Sequence, residues 1–156
     1  MFKLFNRNRD STPLLSSAIV DEHGFYGMFS KDIRIAYDRI VIESPYVTSR
    51  RAREISPLIS SAVKRGVKII IYTRNPYHHD GIQISESLKG IGILRETGAT
   101  VVTCDDMRHR KLAMIDDYIL WEGSLNMLSQ NGSKEVMRRS VSKELCQQMM
   151  QFIKVR

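Results

Sequence analysis

Apolar positions along this chain change period repeatedly, and each change marks an expected element. Met28, Phe29, Ile33, Ala36 and Tyr37 recur at helical spacing, which predicts a helix packed on one face. "RIVIESPYV", Arg39 to Val47, is rich in β-branched residues and reads as a strand ending near Pro45. Ile55, Leu58, Ile59, Ala62 and Val63 form the next helical stripe, with Gly66 as its stop. Pro57 suits a first turn, so this helix is expected to start near Ser56. "VKIIIYT" is almost unbroken in its apolarity, as a central strand covered on both faces would be. "RNPYHHDG" reads as a loop. Ser85 to Glu96 reads as a helix weakened by Gly90 and Gly92 and ended by Gly98, and "ATVVTCD" as a further strand. "KLAMI" and "YILWEG" flank Asp116 and Asp117 as the arms of a hairpin. Ser140 to Ile153 reads as a helix with Leu145, Met149, Phe152 and Ile153 on one side. "PLLSSAIVD", with Leu14, Leu15 and Ile19, fits either a short helix or a strand, and residues 1–11 are basic, polar and expected to be loosely ordered.

Strands alternating with helices imply an α/β fold: a mixed, largely parallel sheet flanked by helices on both faces. The length of 156 residues suits a single domain, here residues 12–156, and no internal repeat is visible. Charge sharpens the picture. Lysine and arginine number 24 against 17 acids, a net charge of +7, which favours polyanionic partners such as nucleic acid or anionic lipid. Cys104 and Cys146 lack metal-ligand spacing and are expected as buried, reduced thiols of a cytoplasmic protein. "MFKLFNRNRD" lacks the continuous apolar core of a signal peptide, and no apolar run is long enough for a membrane span.

The hairpin carries the chemistry. His109-x-Lys111 is followed after four residues by Asp116, and after six more by Gly123-Ser124-x-Asn126. On a strand, His109 and Lys111 would share a face, with Arg110 opposed. Lys111 would supply charge, Ser124 a hydroxyl and Asn126 an amide to a phosphate, while Gly123 would allow close backbone approach. Histidine attacks and exchanges protons near neutral pH.

This spacing resembles the HKD signature of the phospholipase D superfamily, H-x-K-x4-D-x6-G-S-x-N, and matches every defined position. Average residue frequencies would produce it by chance in on the order of one chain in a million of this length. Glu135 stands roughly where many members carry a further acid. The resemblance runs from about Asp38 to Met137 and takes in "IVIESPYVT" and "GVKIIIYTRNP". It implies a phospholipase D-like fold and phosphodiester cleavage that requires no metal and no other cofactor. In that family one histidine attacks phosphorus to give a phosphohistidine. A second protonates the leaving oxygen and then activates water. His109, Lys111, Asp116, Ser124, Asn126 and Glu135 are the implied catalytic residues, with Asp116 or Glu135 orienting an imidazole. One motif supplies one histidine, so two copies of the chain would have to meet about a two-fold axis around one phosphate.

Within the family, basic charge and the single motif point to a nuclease, with DNA favoured over RNA and with a helicase or other DNA-processing subunit as a further partner. The alternatives are a phospholipid-hydrolysing enzyme, marked by an exposed apolar rim, and a nucleic-acid-binding module without turnover. Other residues carry weaker signals. His78, His79 and Asp80 suggest a metal, but no further ligand stands out, and a structural or rim role is preferred. Arg50, Arg51, Arg53, Arg138 and Arg139 fit either phosphate tracking or a solvated helix face. Glu43 fits polar support for the site or an ordinary strand end, and Trp121 fits core packing.

Overall fold

The computed structural model describes residues 16–129 and 131–153. The expectations for residues 1–11 and for Leu14 and Leu15 lie outside them. In chain order the elements are β1 (Ser16–Asp21), α1 (Glu22–Ile35), β2 (Arg39–Glu43), α2 (Ser49–Lys64), β3 (Lys68–Arg74), α3 (Ile82–Glu96), β4 (Thr100–Cys104), β5 (Leu112–Ile115), β6 (Ile119–Gly123), β7 (Val136–Val141) and α4 (Lys143–Ile153). A 3₁₀ turn, Pro76–His78, follows β3. The strands form one sheet in the order β1-β7-β6-β5-β2-β3-β4. β2, β3 and β4 run parallel, joined by the crossovers through α2 and α3. The other pairings are antiparallel. The sheet is mixed, as expected, but it is not largely parallel: among the described residues four of its six pairings are antiparallel, because the β5–β6 hairpin, β7 and β1 all add antiparallel partners to the parallel β2-β3-β4 unit.

Alternation along the strands divides the side chains between two faces. Ile40, Ile42, Ile69, Ile71, Ala113, Ile115, Trp121 and Met137 face the larger core, under α1, α2 and α3. Val41, Leu112, Met114 and Leu120 face the smaller one, closed by Cys146 and Ile153 of α4. Helices thus cover both faces. Trp121 is core, edge-on to Phe25 and Phe29, with its indole N–H donating to the buried Asp32 carboxylate at 2.8 Å. Cys104 and Cys146 are free and buried. Among the described residues no helix is long and apolar enough to cross a membrane.

Several boundaries differ from the sequence reading, each for a local reason. α2 starts at Ser49 because Thr48 caps it, accepting from the Arg51 N–H. Pro57 therefore lies inside the helix. Its ring cannot donate to the Arg53 carbonyl, and the Ser56 hydroxyl does so instead at 3.0 Å. α3 begins at Ile82, and Gly90 serves packing rather than weakening it: a Cβ there would lie 2.7 Å from Val47 Cγ1. α4 begins at Lys143, after Ser142, whose hydroxyl accepts from the Leu145 N–H. Phe152 lies outside the buried stripe and is 67% exposed. β7 escaped the pattern because Arg139 turns inward to pair with Asp32 at 2.8 Å, breaking the apolar alternation. That pairing assigns Arg139 to the fold, and Arg50 and Arg51 pair with Glu54 along α2.

Candidate active site

The motif residues other than Asp116 gather at the sheet end where β2, β3 and β4 finish and β5 begins. In open α/β sheets this carboxyl end is where ligands bind. β5 starts only at Leu112, so His109 and Lys111 sit in the segment leading into it rather than on the strand. Their alternation survives. Lys111 Nζ lies 2.9 Å from His109 Nδ1 and donates to the His109 carbonyl at 2.7 Å, while Arg110 points elsewhere.

What fixes this irregular segment is Glu43, the last residue of β2, fully buried. Arg110 meets it through two bonds, at 2.8 and 3.2 Å, and also donates to the Phe152 carbonyl of α4. The Arg108 guanidinium, 2% exposed, approaches the same carboxylate at 3.5 Å and forks onto Asp106 at 2.7 Å. One buried carboxylate thus holds the residues on either side of His109, whose imidazole is left exposed. Arg74, from the end of β3, donates to the Arg108 carbonyl at 2.9 Å.

Gly123 ends β6 beside Lys111, whose carbonyl accepts its N–H at 3.3 Å. A Cβ at Gly123 would lie 2.2 Å from the Val136 carbonyl oxygen, so glycine here permits the close approach of β7. Ser124 N–H donates to that same oxygen at 2.9 Å, and the Ser124 hydroxyl donates to Glu135. Ser133 donates to the other Glu135 oxygen at 2.8 Å. Glu22, at the start of α1, accepts from the Glu135 N–H and from Lys134, both at 3.1 Å. Those contacts, the Glu135 N–H foremost, hold the Glu22 carboxyl down at about 2. A cleft of about 430 Å³ opens between Glu22, Ser124, Lys134 and Glu135. The Asn126 side-chain oxygen is buried without a hydrogen-bond partner, so the fold does not use it up.

Positive charge governs titration here. The Lys111 ammonium, then partial burial, then Arg74 hold the His109 imidazole below its ordinary value. Burial lowers Lys111, Glu135 opposes the shift and Arg74 adds to it. The neutral imidazole, the form that can attack, is thereby favoured near neutral pH.

Asp116 is not brought to this cluster. It occupies the opposite end of β5, in the turn to β6, where both Asp116 and Asp117 have positive φ, 53° and 52°. Its carboxylate accepts from the backbone N–H groups of Tyr37, Asp38 and Arg39 at 2.9 to 3.3 Å. Asp117 pairs with Arg39. Asp116 therefore tethers the hairpin turn to the start of β2, and orienting a histidine falls outside its reach. Sequence reasoning passed over Arg74, Arg108 and Glu22, which no motif marks; Glu43, weighed as polar support, is the anchor of the histidine segment. His79 packs edge-on against Tyr46, and His78 lies 3.9 Å from Asp105. Among the described residues no group of three or more potential ligands is arranged for a metal ion.

Fold and site together define a phospholipase D-like domain. The family model described as "Cardiolipin synthase, PLD-like domain" matches residues 29–155, and the chain belongs to the phospholipase D superfamily of phosphodiesterases. Solved structures agree on the fold. Nuc from Salmonella typhimurium, a phospholipase D family member, superposes with a TM-score of 0.75 at 17% identity, over 88% of this chain and 91% of that one. NucT from Helicobacter pylori gives 0.72 at 21% identity, over 88% and 92%. TrmBL2, an archaeal chromatin protein whose structure shows a novel mode of DNA binding, gives 0.59 at 13% identity, over 86% of this chain and 49% of that one. No curated protein matches the sequence significantly.

Proposed function

We propose that the chain is a nuclease that cleaves phosphodiesters through a covalent His109 intermediate, in a site completed by a second copy. The observation that carries this reading is the exposed His109 imidazole, held by its flanking arginines and kept neutral by Lys111. A histidine in that state is a nucleophile, and Lys111 beside it is a fixed cation for the phosphate oxygens. The cation role that a metal plays elsewhere falls to these side chains, so the reaction is metal-independent.

In the first step His109 attacks phosphorus, a P–N bond forms and the P–O bond to the leaving group breaks. Charge developing on the phosphoryl oxygens is met by Lys111, with Ser124 and Asn126 as further hydrogen-bonding groups. The leaving oxygen takes a proton from His109 of a second copy, which enters this step as the imidazolium and leaves it neutral, while the attacking copy is neutral from the start. That imidazole then accepts a proton from water, whose oxygen attacks phosphorus as the P–N bond breaks. Among the described residues of one chain no second histidine reaches His109. Among the described residues neither His23, His78 nor His79 hydrogen-bonds to His109, and Glu135 is engaged with Ser124 and Ser133. A two-fold dimer supplies the second histidine.

The net charge of +7 and the basic groups around His109 favour nucleic acid as the substrate, with DNA placed first because a DNA-binding protein shares the fold. A DNA-processing subunit such as a helicase belongs to the same reading. The test is incubation of wild type and His109→Ala with single- and double-stranded DNA and RNA in EDTA. Cleavage by wild type alone is expected, with at least a thousandfold loss in the variant. Cleavage that EDTA abolishes, or that survives in His109→Ala, contradicts the mechanism. The family description names a cardiolipin synthase, and cleavage of anionic phospholipid vesicles but of no nucleic acid would transfer the site to lipid.

A further inference from the structure

Arg74 stands out among the cations at this end of the sheet. Its Nε is buried and has no hydrogen-bond partner, and among the described residues no carboxylate lies within ion-pair distance of its guanidinium. Its guanidinium donates instead to the neutral Arg108 carbonyl at 2.9 Å. The neighbouring arginines differ: Arg108 and Arg110 are each committed to carboxylates, Asp106 and Glu43. A partly buried guanidinium without a counter-charge is costly to keep, and an anion arriving from solvent would satisfy it. Arg74 is also close enough to His109, Lys111 and His79 to depress the titration of all three. Its charge therefore lies between the motif and the loop after β3.

The order of groups across the sheet end suggests what that anion is. Glu135 leads into β7 and Ser124 follows β6, His109 and Lys111 lead into β5, and Arg74 ends β3, with β2 between β5 and β3. Adjacent strands stand about 4.8 Å apart, so β5 and β3 are separated by roughly 10 Å. Lys111 is already paired with the attacking histidine and serves the scissile phosphate. Arg74, displaced from it along the sheet end, is placed for a different phosphate of the same strand.

We infer that Arg74 binds the phosphate adjacent to the scissile one, making the site selective for a polymer carrying several phosphodiesters over a single diester. This rests on the nuclease reading and extends it. Arginine suits the task, since its planar fork holds two oxygens of one phosphate.

The test compares a dinucleotide, which has one phosphodiester, with a single-stranded oligonucleotide, in wild type and Arg74→Gln. The ratio of kcat/KM for oligonucleotide over dinucleotide is expected to fall about tenfold or more in the variant, chiefly through KM, as loss of one charge-assisted phosphate contact requires. Arg74→Lys should recover part of the ratio. A second arm uses the wild-type protein and oligonucleotides with one neutral methylphosphonate on either side of the cleaved linkage. At one of the two positions the substitution should cost wild type about tenfold and Arg74→Gln little. An unchanged ratio in Arg74→Gln, or wild type indifferent to both methylphosphonates, overturns the inference while leaving the nuclease reading intact. Wild type that cleaves neither substrate overturns both.

Discussion

At the scale of single residues, His109 and Asp116 show how one motif divides into two jobs. His109 is poised by charge. Lys111 and Arg74 disfavour a second positive charge beside them, so the folded protein holds the imidazole neutral to lower pH than a free histidine, whose ordinary value is 6.5. Ring-proton NMR should find the His109 midpoint below 6.5 and, in Lys111→Met, a midpoint raised towards it. A midpoint above 6.5 in wild type would remove the electrostatic account of the nucleophile. Asp116 instead serves stability. Asp116→Ala removes bonds to three backbone N–H groups and should cost about 2–4 kcal/mol in urea unfolding. Activity per folded molecule should stay near wild type, and a thousandfold loss in well-folded protein would return Asp116 to the catalytic set. The sequence already contained this distinction. Four residues of strand between Lys111 and Asp116 set them about 15 Å apart, which follows from strand rise once the spacer is read as a strand. Arg74 left no such trace, because its importance lies in the absence of a partner that only the folded chain reveals.

At the scale of elements, the segment that carries His109 depends on how β2 ends. Glu43 is buried and binds the arginines on both sides of His109, so the loop into β5 is held by charge rather than by strand pairing. Glu43→Ala would strand a buried Arg108 and is expected to destabilise the protein by about 3–5 kcal/mol. Glu43→Gln, which keeps the shape and loses the charge, should cost less stability yet lower kcat with KM nearly unchanged, because the histidine loses its placement. Equal falls in stability and none in kcat would make Glu43 a packing residue only. The alternation of hydrophobic residues located β2, β3, β4 and the β5–β6 hairpin, since each buries an apolar face. It failed at β7, where Arg139 is turned inward onto Asp32, and at the start of α2, where a proline typical of first turns sits mid-helix because Ser56 serves the carbonyl it abandons.

At the scale of the whole molecule, the proposed mechanism makes each chain half of a reaction centre. At one end of its seven-stranded sheet stand His109, the Lys111 ammonium beside it and the Glu135 carboxylate turned towards serines. The proposed chemistry uses a second histidine, which on that reading a symmetric partner would provide. The most direct measurement mixes wild type with inactive His109→Ala in known proportions under conditions that allow subunits to exchange, and records cleavage of DNA. If each site needs His109 from both copies, only dimers of two wild-type chains act, and activity falls as the square of the wild-type fraction. Activity that falls in simple proportion to that fraction would show that each chain works alone, and would contradict the two-histidine account.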